Sequence, residues 1–532
     1  MTTDPKQVMQ IINDYIEEYQ PEVELDGLQN EKITDVLTHS YDVVEMSMEI
    51  EEKLEVKEEV IDLETWAVQF AQMSFGELAN KVAQILNERE SLASSESLDS
   101  SKSSRRGRSR AQPISVHPDV ENIPAENYRI EAYPECQHIQ QQLNEVPSLG
   151  IENPYFQVHD GLAINTTQVL GQTLINYANY NYLGLSGDAR VTAAAKQAID
   201  RYGTSVSASR LASGERPIHQ ELERELAYFI GVEACVVYIS GHATNVTTIG
   251  HLLDAKDVVF YDDLSHNSIV QGCCLSGAKA IRFGHNDWAS LEQLLQTHRP
   301  RYRRALIICE GVYSMDGDIP DLPRFIELKQ RYKAMLMVDE AHSIGVLGQS
   351  GRGIGEFFNV DRTQVDLWMG TLSKSFASSG GYIAGSRILI DYLKYTAPGF
   401  VYSVGLSPAN TAAALEALRI LKAEPERVAT LQERSQYFLT KAQSQGWNTG
   451  FSKDSPIIPI IVGESLLSGK LSHALFQKGI NARPQIYPSV PEKSARLRFF
   501  ISSTHTEDQI DQTIEALAAA FAESQQVPAL VS

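Results

Sequence analysis

Cysteine is scarce in this sequence. Its five residues, Cys136, Cys235, Cys273, Cys274 and Cys309, are odd in number and scattered, with no C-x-x-C pair. Neither a disulfide framework nor a zinc site is expected, and no metal is assigned. Positive charge is also short: 46 Lys and Arg stand against 68 Asp and Glu, a formal net charge of −22. Nucleic acids and anionic membranes both need a basic surface, so neither is an expected partner. No uninterrupted apolar run approaches membrane-spanning length, and the N-terminus, MTTDPKQVMQIINDYIEEY, lacks a basic region ahead of an apolar core. A cytoplasmic protein without a transmembrane segment, acting on small metabolites or basic protein partners, is the expectation.

What is present suggests more than one domain. The chain has 532 residues, 43% of them hydrophobic, too long for one ordinary core. Residues 91–112, SLASSESLDSSKSSRRGRSRAQ, are rich in serine and poor in apolar surface, so burial cannot repay ordering. A flexible linker is expected over 91–120, its RRGRSR run serving as a solvated tether. Ahead of it, over 1–90, VMQIINDYIEEY, VVEMSMEIEEKL and SFGELANKVAQIL repeat apolar residues at helical spacing with no strand-like alternation, which predicts a small helical bundle. Beyond it, over 121–532, short apolar runs such as ACVVYIS, DVVFY, RALIICEG and AMLMVDEAH alternate with amphipathic stretches such as IHQELERELAYFIG. That alternation predicts an α/β fold, a mainly parallel sheet covered by helices on both faces.

In THSYDVVEMSMEIEEKL, Ser40 stands where a loop enters an acidic amphipathic helix, followed by Asp42, Val44 and Glu45. The segment resembles the attachment motif of acyl carrier proteins, D-S-L-x-x-V-E-L, with His39 and Tyr41 in place of the usual aspartate and leucine. The resemblance covers about residues 5–90 and implies an all-α acyl-carrier four-helix bundle. It also implies 4′-phosphopantetheine on Ser40, a phosphopantetheinyl transferase and an acyl-loading enzyme as partners, and acidic side chains as their docking face. The plain alternative is that Ser40 is an ordinary helix N-cap.

In the large region, DLWMGTLSKSFASSGG delivers Lys374 from an apolar stretch into small hydroxyl residues and glycines. A lysine in apolar surroundings loses its proton more readily, and the free amine forms imines with carbonyl compounds such as pyridoxal phosphate. Asp339 ends the buried run AMLMVDEAH, at the strand end where parallel sheets collect ligands. A carboxylate there keeps a pyridine nitrogen protonated and so makes the ring an electron sink. His342, three residues on, is within reach of the phenolic oxygen of such a cofactor.

These residues lie among ordered blocks: YNYLG at 180–184, SASRLASG, SGHATN from Ser240, DDLSHNS with His266, EGVYSMDGD from Glu310, VDEAHSIG, GTLSKS and ARLRFFISSTHT. Over roughly residues 150–520 the pattern resembles the α-oxoamine synthase family, which includes serine palmitoyltransferase and aminooxononanoate synthase. The resemblance implies a fold-type I pyridoxal-phosphate transferase, with a large cofactor domain over about 165–410 and a small C-terminal α+β domain over about 411–525. His266 would stack on the pyridine ring, while Gly241 and His242 would offer backbone amides and Thr371 a hydroxyl to the phosphate. Ser314 would support the phenolic oxygen, and Asn181 and Arg498 would take the substrate carboxylate, Arg498 being preferred over Arg496. Ser403, in FVYSVGLSP, would reach the phosphate of a neighbouring subunit, implying a homodimer.

The implied catalysis has Lys374, His266, Asp339 and His342 at its centre. An amino acid displaces Lys374 from the cofactor, the freed amine removes the α-proton, and the carbanion attacks an acyl thioester. Thiol and then carbon dioxide leave, giving an α-amino ketone. YNYLG and DEAHS look most like the serine-using branch, with glycine and alanine as alternatives, and the acyl group is carried on Ser40 or on coenzyme A. In GTSVSASR, Val206 and Ala208 replace a glycine-rich stretch and narrow the expected acyl entrance. Two other classes stay open: an aminotransferase of the same fold, and a noncatalytic regulatory or scaffold subunit, which the presence of Lys374 and Asp339 disfavours.

Overall fold

The computed structural model describes residues 4–19, 27–30, 73–96, 123–145, 153–486 and 489–526, together with positions 25, 33, 46 and 50. Two compact units emerge, Met1–Asn153 with Tyr487–Glu492 and Pro154–Ile486 with Lys493–Ser532. In the first unit, helices Pro5–Tyr19 and Phe75–Glu96 share a core of Val8, Ile12, Ile16, Phe75, Leu78 and Val82, joined by Met46 and Ile50. The i, i+3, i+4 spacing of these residues puts them on one stripe of each helix. Ser74 and Glu77 cap the second helix reciprocally: the Glu77 backbone N–H donates to Ser74 Oγ at 3.3 Å, and the Ser74 N–H to Glu77 Oε2 at 2.8 Å. This helix runs on to Glu96, six residues into the serine-rich segment. Ser40 and its motif neighbours His39, Tyr41, Asp42, Val44 and Glu45 lie outside the described residues, as does 97–122.

The second unit opens with a meander, β1 (His159–Asp160), β2 (Thr166–Val169) and β3 (Gln172–Asn176). Its main sheet has seven strands, in chain order β4 (Ala234–Tyr238), β5 (Val258–Asp262), β6 (Lys279–Phe283), β7 (Ala305–Glu310), β8 (Met335–Asp339), β9 (Leu367–Thr371) and β10 (Gly381–Gly385). Their spatial order is β4-β10-β9-β8-β7-β5-β6, parallel except for β10, which runs antiparallel between β9 and β4. Every residue of β4, β5, β7, β9 and β10 is buried, as expected for strands covered on both faces. The mainly parallel α/β expectation therefore holds, with one reversed strand.

A second core is built on β11 (Ile457–Ile461), β12 (Ile480–Asn481), β13 (Arg483–Gln485) and β14 (Arg496–Phe500). Strands β11, β14 and β13 form an antiparallel sheet in that order, and β12 pairs in parallel with β3. The early meander thus joins the C-terminal strands. Helix Glu426–Ser444 serves both cores, with Val428 and Leu431 in the large one and Phe438, Leu439 and Ala442 in the small one. Helix Pro408–Ala423 packs its buried residues into the large core.

Candidate active site

Three strands of the parallel sheet end on polar residues at the same edge. β7 ends on Glu310, β8 on Asp339 directly beside it, and β9 on Thr371. This is the edge where the helix-covered parallel sheet leaves a crevice. Lys374 follows β9 in a short turn closed by the Ala377 N–H donating to the Lys374 carbonyl at 3.0 Å. Loss of hydration pulls the Lys374 amine down to about 8, although the Asp339 and Glu310 charges pull the other way. Its Nζ lies 5.6 Å from the centre of the Tyr180 ring.

Asp339, 4% exposed, is fixed by two donors, Asn245 Nδ2 at 2.8 Å and the Ala341 N–H at 2.9 Å. Asn245 also donates to Ser268 Oγ at 2.9 Å, and that hydroxyl lies 2.8 Å from His266 Nδ1. The Ser268 N–H points at the same ring nitrogen, 3.2 Å away, so Nδ1 is the acceptor and a neutral His266 carries its proton on Nε2. Burial favours that neutral form. The His266 N–H donates to Glu310 Oε1 at 2.5 Å, locking the N-cap of helix Asn267–Ser276 to the end of β7. Burial, with the adjoining Asp339 charge, pushes the Glu310 carboxyl well above the ordinary carboxylate range.

His342 is buried, and its Nδ1 lies 2.7 Å from the Tyr182 hydroxyl. Loss of hydration, reinforced by Lys374 and Arg498, holds it far below the usual imidazole range, hence neutral. Gly241 and His242 open helix Gly241–Leu252, capped by Ser240, so their amides precede the helix's own hydrogen bonds. A Cβ on Gly241 would stand 2.9 Å from Thr371 Oγ1, so only glycine keeps this notch open. The arrangement suits a flat ring bearing an anionic group: an amine and a carboxylate on its sides, and a helix start for the anion.

The two arginines of ARLRFF have different surroundings. Arg496 is committed to an ion pair with Asp316 at 2.6 Å. Arg498 donates to the Ser314 carbonyl at 2.9 Å and lies over the Phe500 ring, its Nε buried without a partner. Arg498 is thus the one of the two with no carboxylate. Ser314 meets it through its carbonyl. The Asn181 Nδ2 donates to the Ala163 carbonyl at 2.8 Å, and its Oδ1 accepts from the Ser186 N–H at 3.2 Å. Ser403 lies between helices Pro398–Val401 and Pro408–Ala423, next to the bridge Ser209↔Val404. Among the described residues no hydrogen bond joins it to the Lys374 group.

The aminotransferase class I and II family matches residues 172–517. An 8-amino-7-oxononanoate synthase of Thermoanaerobacter pseudethanolicus is 40% identical over 346 residues, 65% of this chain and 87% of that protein. A serine palmitoyltransferase of Bacteroides thetaiotaomicron is 39% identical over 368 residues, 69% and 93% of the two chains. The chain belongs to the aminotransferase class I and II family, in its α-oxoamine synthase branch. A solved structure of SPT with the PLP internal aldimine superposes with a TM-score of 0.71 at 27% identity, covering 74% of this chain and 99% of that one.

Several residues of this α-oxoamine synthase site went unread in the sequence. Glu310, Asn245, Ser268 and Tyr182 each stood inside a motif block, yet their partners lie 44, 94, 23 and 160 positions away. Sequence spacing carries no trace of such pairings. The placement of the motifs at strand ends was their only available signal.

Proposed function

We propose that this enzyme joins the α-carbon of an amino acid to the acyl carbon of a thioester, releasing thiol and carbon dioxide and leaving an α-amino ketone. The observation that carries the reading is geometric: Lys374 leaves the end of β9 at the same sheet edge where Asn245 and Ala341 hold the Asp339 carboxylate at the end of β8. Pyridoxal phosphate, when bound, supplies an aldehyde that captures the substrate amine and a protonated ring that accepts the electrons of the α-carbon. Its holding residues would be Lys374 at the aldehyde, Asp339 at the ring nitrogen, His266 on the ring face, and His342 with Ser314 toward the phenolic oxygen. Gly241, His242 and Thr371 would take the phosphate.

The protein's own groups then divide the work. Lys374 removes the α-proton and later returns one to the product carbon, a double role that suits an amine titrating near neutrality. Arg498 orients the substrate carboxylate, since Arg496 is already paired. The network Asp339–Asn245–Ser268–His266 fixes three contacts without reorganisation during turnover. Serine is the proposed amino acid, with glycine and alanine as alternatives. Ser40 carries the acyl group on 4′-phosphopantetheine, delivered by a tether that begins beyond the helix end at Glu96, and a phosphopantetheinyl transferase and an acyl-loading enzyme serve it. A homodimer is proposed from Ser403 and the neighbouring Tyr402, 86% exposed, whose bare ring suits a subunit contact; the cytoplasm is the proposed location. The test is thiol release from an acyl thioester with and without each amino acid. The proposal expects release only when an amino acid is present; keto-acid formation without thiol would mark an aminotransferase instead.

A further inference from the structure

The sheet order places β5 between β7 and β6, so the chain leaving β6 reaches the chain leaving β7 only by crossing the end of β5. His285, two residues past β6, makes that crossing. Its Nδ1 lies 2.8 Å from Asp262 Oδ1, at the end of β5, and its Nε2 lies 2.8 Å from Asp318 Oδ2, in the segment that follows β7. Asp262 is fully buried and Asp318 is 7% exposed. A carboxylate only accepts, so both ring nitrogens donate and the ring is an imidazolium. Burial opposes that charge, but the hydrogen bonds to Asp262 and Asp318 outweigh it and lift the ring to about 10. Asn286, in left-handed backbone at φ 53°, spans the same pair: its N–H donates to Asp262 Oδ2 at 2.8 Å and its side-chain amide to Asp318.

Each carboxylate organises a turn that ends in the candidate site. Asp262 Oδ1 also accepts the Leu264 N–H at 2.9 Å, and the Asp262 carbonyl accepts the Ser265 N–H at 3.0 Å, which leads the chain to His266. The Asp318 carbonyl accepts the Tyr313 N–H at 3.1 Å, closing a loop around Ser314, and the Tyr313 ring meets His285 edge-on with 4.6 Å between centres. Arg496 holds the same loop through Asp316 at 2.6 Å. We propose that His285 is a positioning residue that ties the His266 turn to the Ser314 loop, so that the residues set against the face and the phenolic edge of the cofactor keep one spacing. The inference rests on the pyridoxal-phosphate reading of the site for its consequence, and on the two hydrogen bonds alone for the tie.

Hydrogen exchange of the full chain without cofactor tests the tie. In His285→Gln the amides of 264–266 and of 313–317 are expected to exchange about tenfold faster together, while those of β5 and β7 keep their protection. Asp318→Ala severs the tie from the loop side and leaves one imidazolium facing one carboxylate. It is expected to give the same paired change, and it covers the case of a glutamine variant left unfolded by two unpaired buried carboxylates. Acceleration of one segment without the other would overturn the proposal, as would a change spread over the whole unit in both variants. Titration of the folded proteins with pyridoxal phosphate, followed by the absorbance of the cofactor at Lys374, then reads the consequence: both variants are expected to bind about tenfold more weakly than the wild type. Paired acceleration with unchanged affinity would refute the positioning role. If the wild type itself took up no cofactor, the pyridoxal-phosphate reading would fall, and the exchange of the two segments would still decide the tie.

Discussion

Burial strips the Lys374 ammonium of hydration, and the sign of the consequence follows from its pKa, about 8 in the fold against an ordinary 10.5. Below about 8 both folded and unfolded chains hold the proton, and the folded state bears the full penalty. Between the two values only the unfolded chain holds it, so stability rises with pH; above 10.5 the penalty is gone. Urea unfolding of the cofactor-free protein should therefore show Lys374→Met more stable than wild type at pH 7, with the gap closing as pH passes from about 8 toward 10.5. A gap independent of pH would contradict it. Lys374 and Asp339 stand out in the sequence because each follows an apolar run, a local signal, whereas Gly241 stands out only through the family resemblance. The role of Asn245 was hidden, since it exists only through Asp339 and Ser268. The two backbone bonds of the Asn181 amide were likewise hidden, because nothing in YNYLG reveals its partners Ala163 and Ser186.

The strand ends explain why scattered motifs become one site. Parallel pairing of β7, β8 and β9 sets Glu310 beside Asp339 and Asp339 beside Met369, so residues from distant blocks share one edge. Alternating apolar runs and amphipathic helices were enough to read a parallel sheet, since buried parallel strands are apolar throughout. Strand order was not readable: GYIAG in β10 looks like any other buried strand, yet it runs antiparallel and separates β9 from β4. The pairing of β12 with β3 was equally hidden, because a strand of two residues has no periodicity to detect. Helix Glu426–Ser444 shows a single amphipathic pattern and still serves two cores in succession.

At the scale of the whole chain, the composition shift over 91–112 and the helical spacing before it separate a small unit from the synthase unit, and the proposed role of the first depends on Ser40. Intact mass after incubation with a phosphopantetheinyl transferase and coenzyme A should rise by one phosphopantetheine in the wild type and not in Ser40→Ala. No gain in either would leave coenzyme A as the donor's carrier and remove the acyl-carrier role. Covalent delivery would raise the local concentration of the acyl group at Lys374. The central claim concerns the fate of the amino acid's carboxyl carbon. Release of labelled carbon dioxide from carboxyl-labelled serine, glycine or alanine, with and without acyl thioester, tests it most directly. The account predicts release that needs the thioester and is lost in Lys374→Ala; retention of the label in a keto acid, or release indifferent to the thioester, would contradict it.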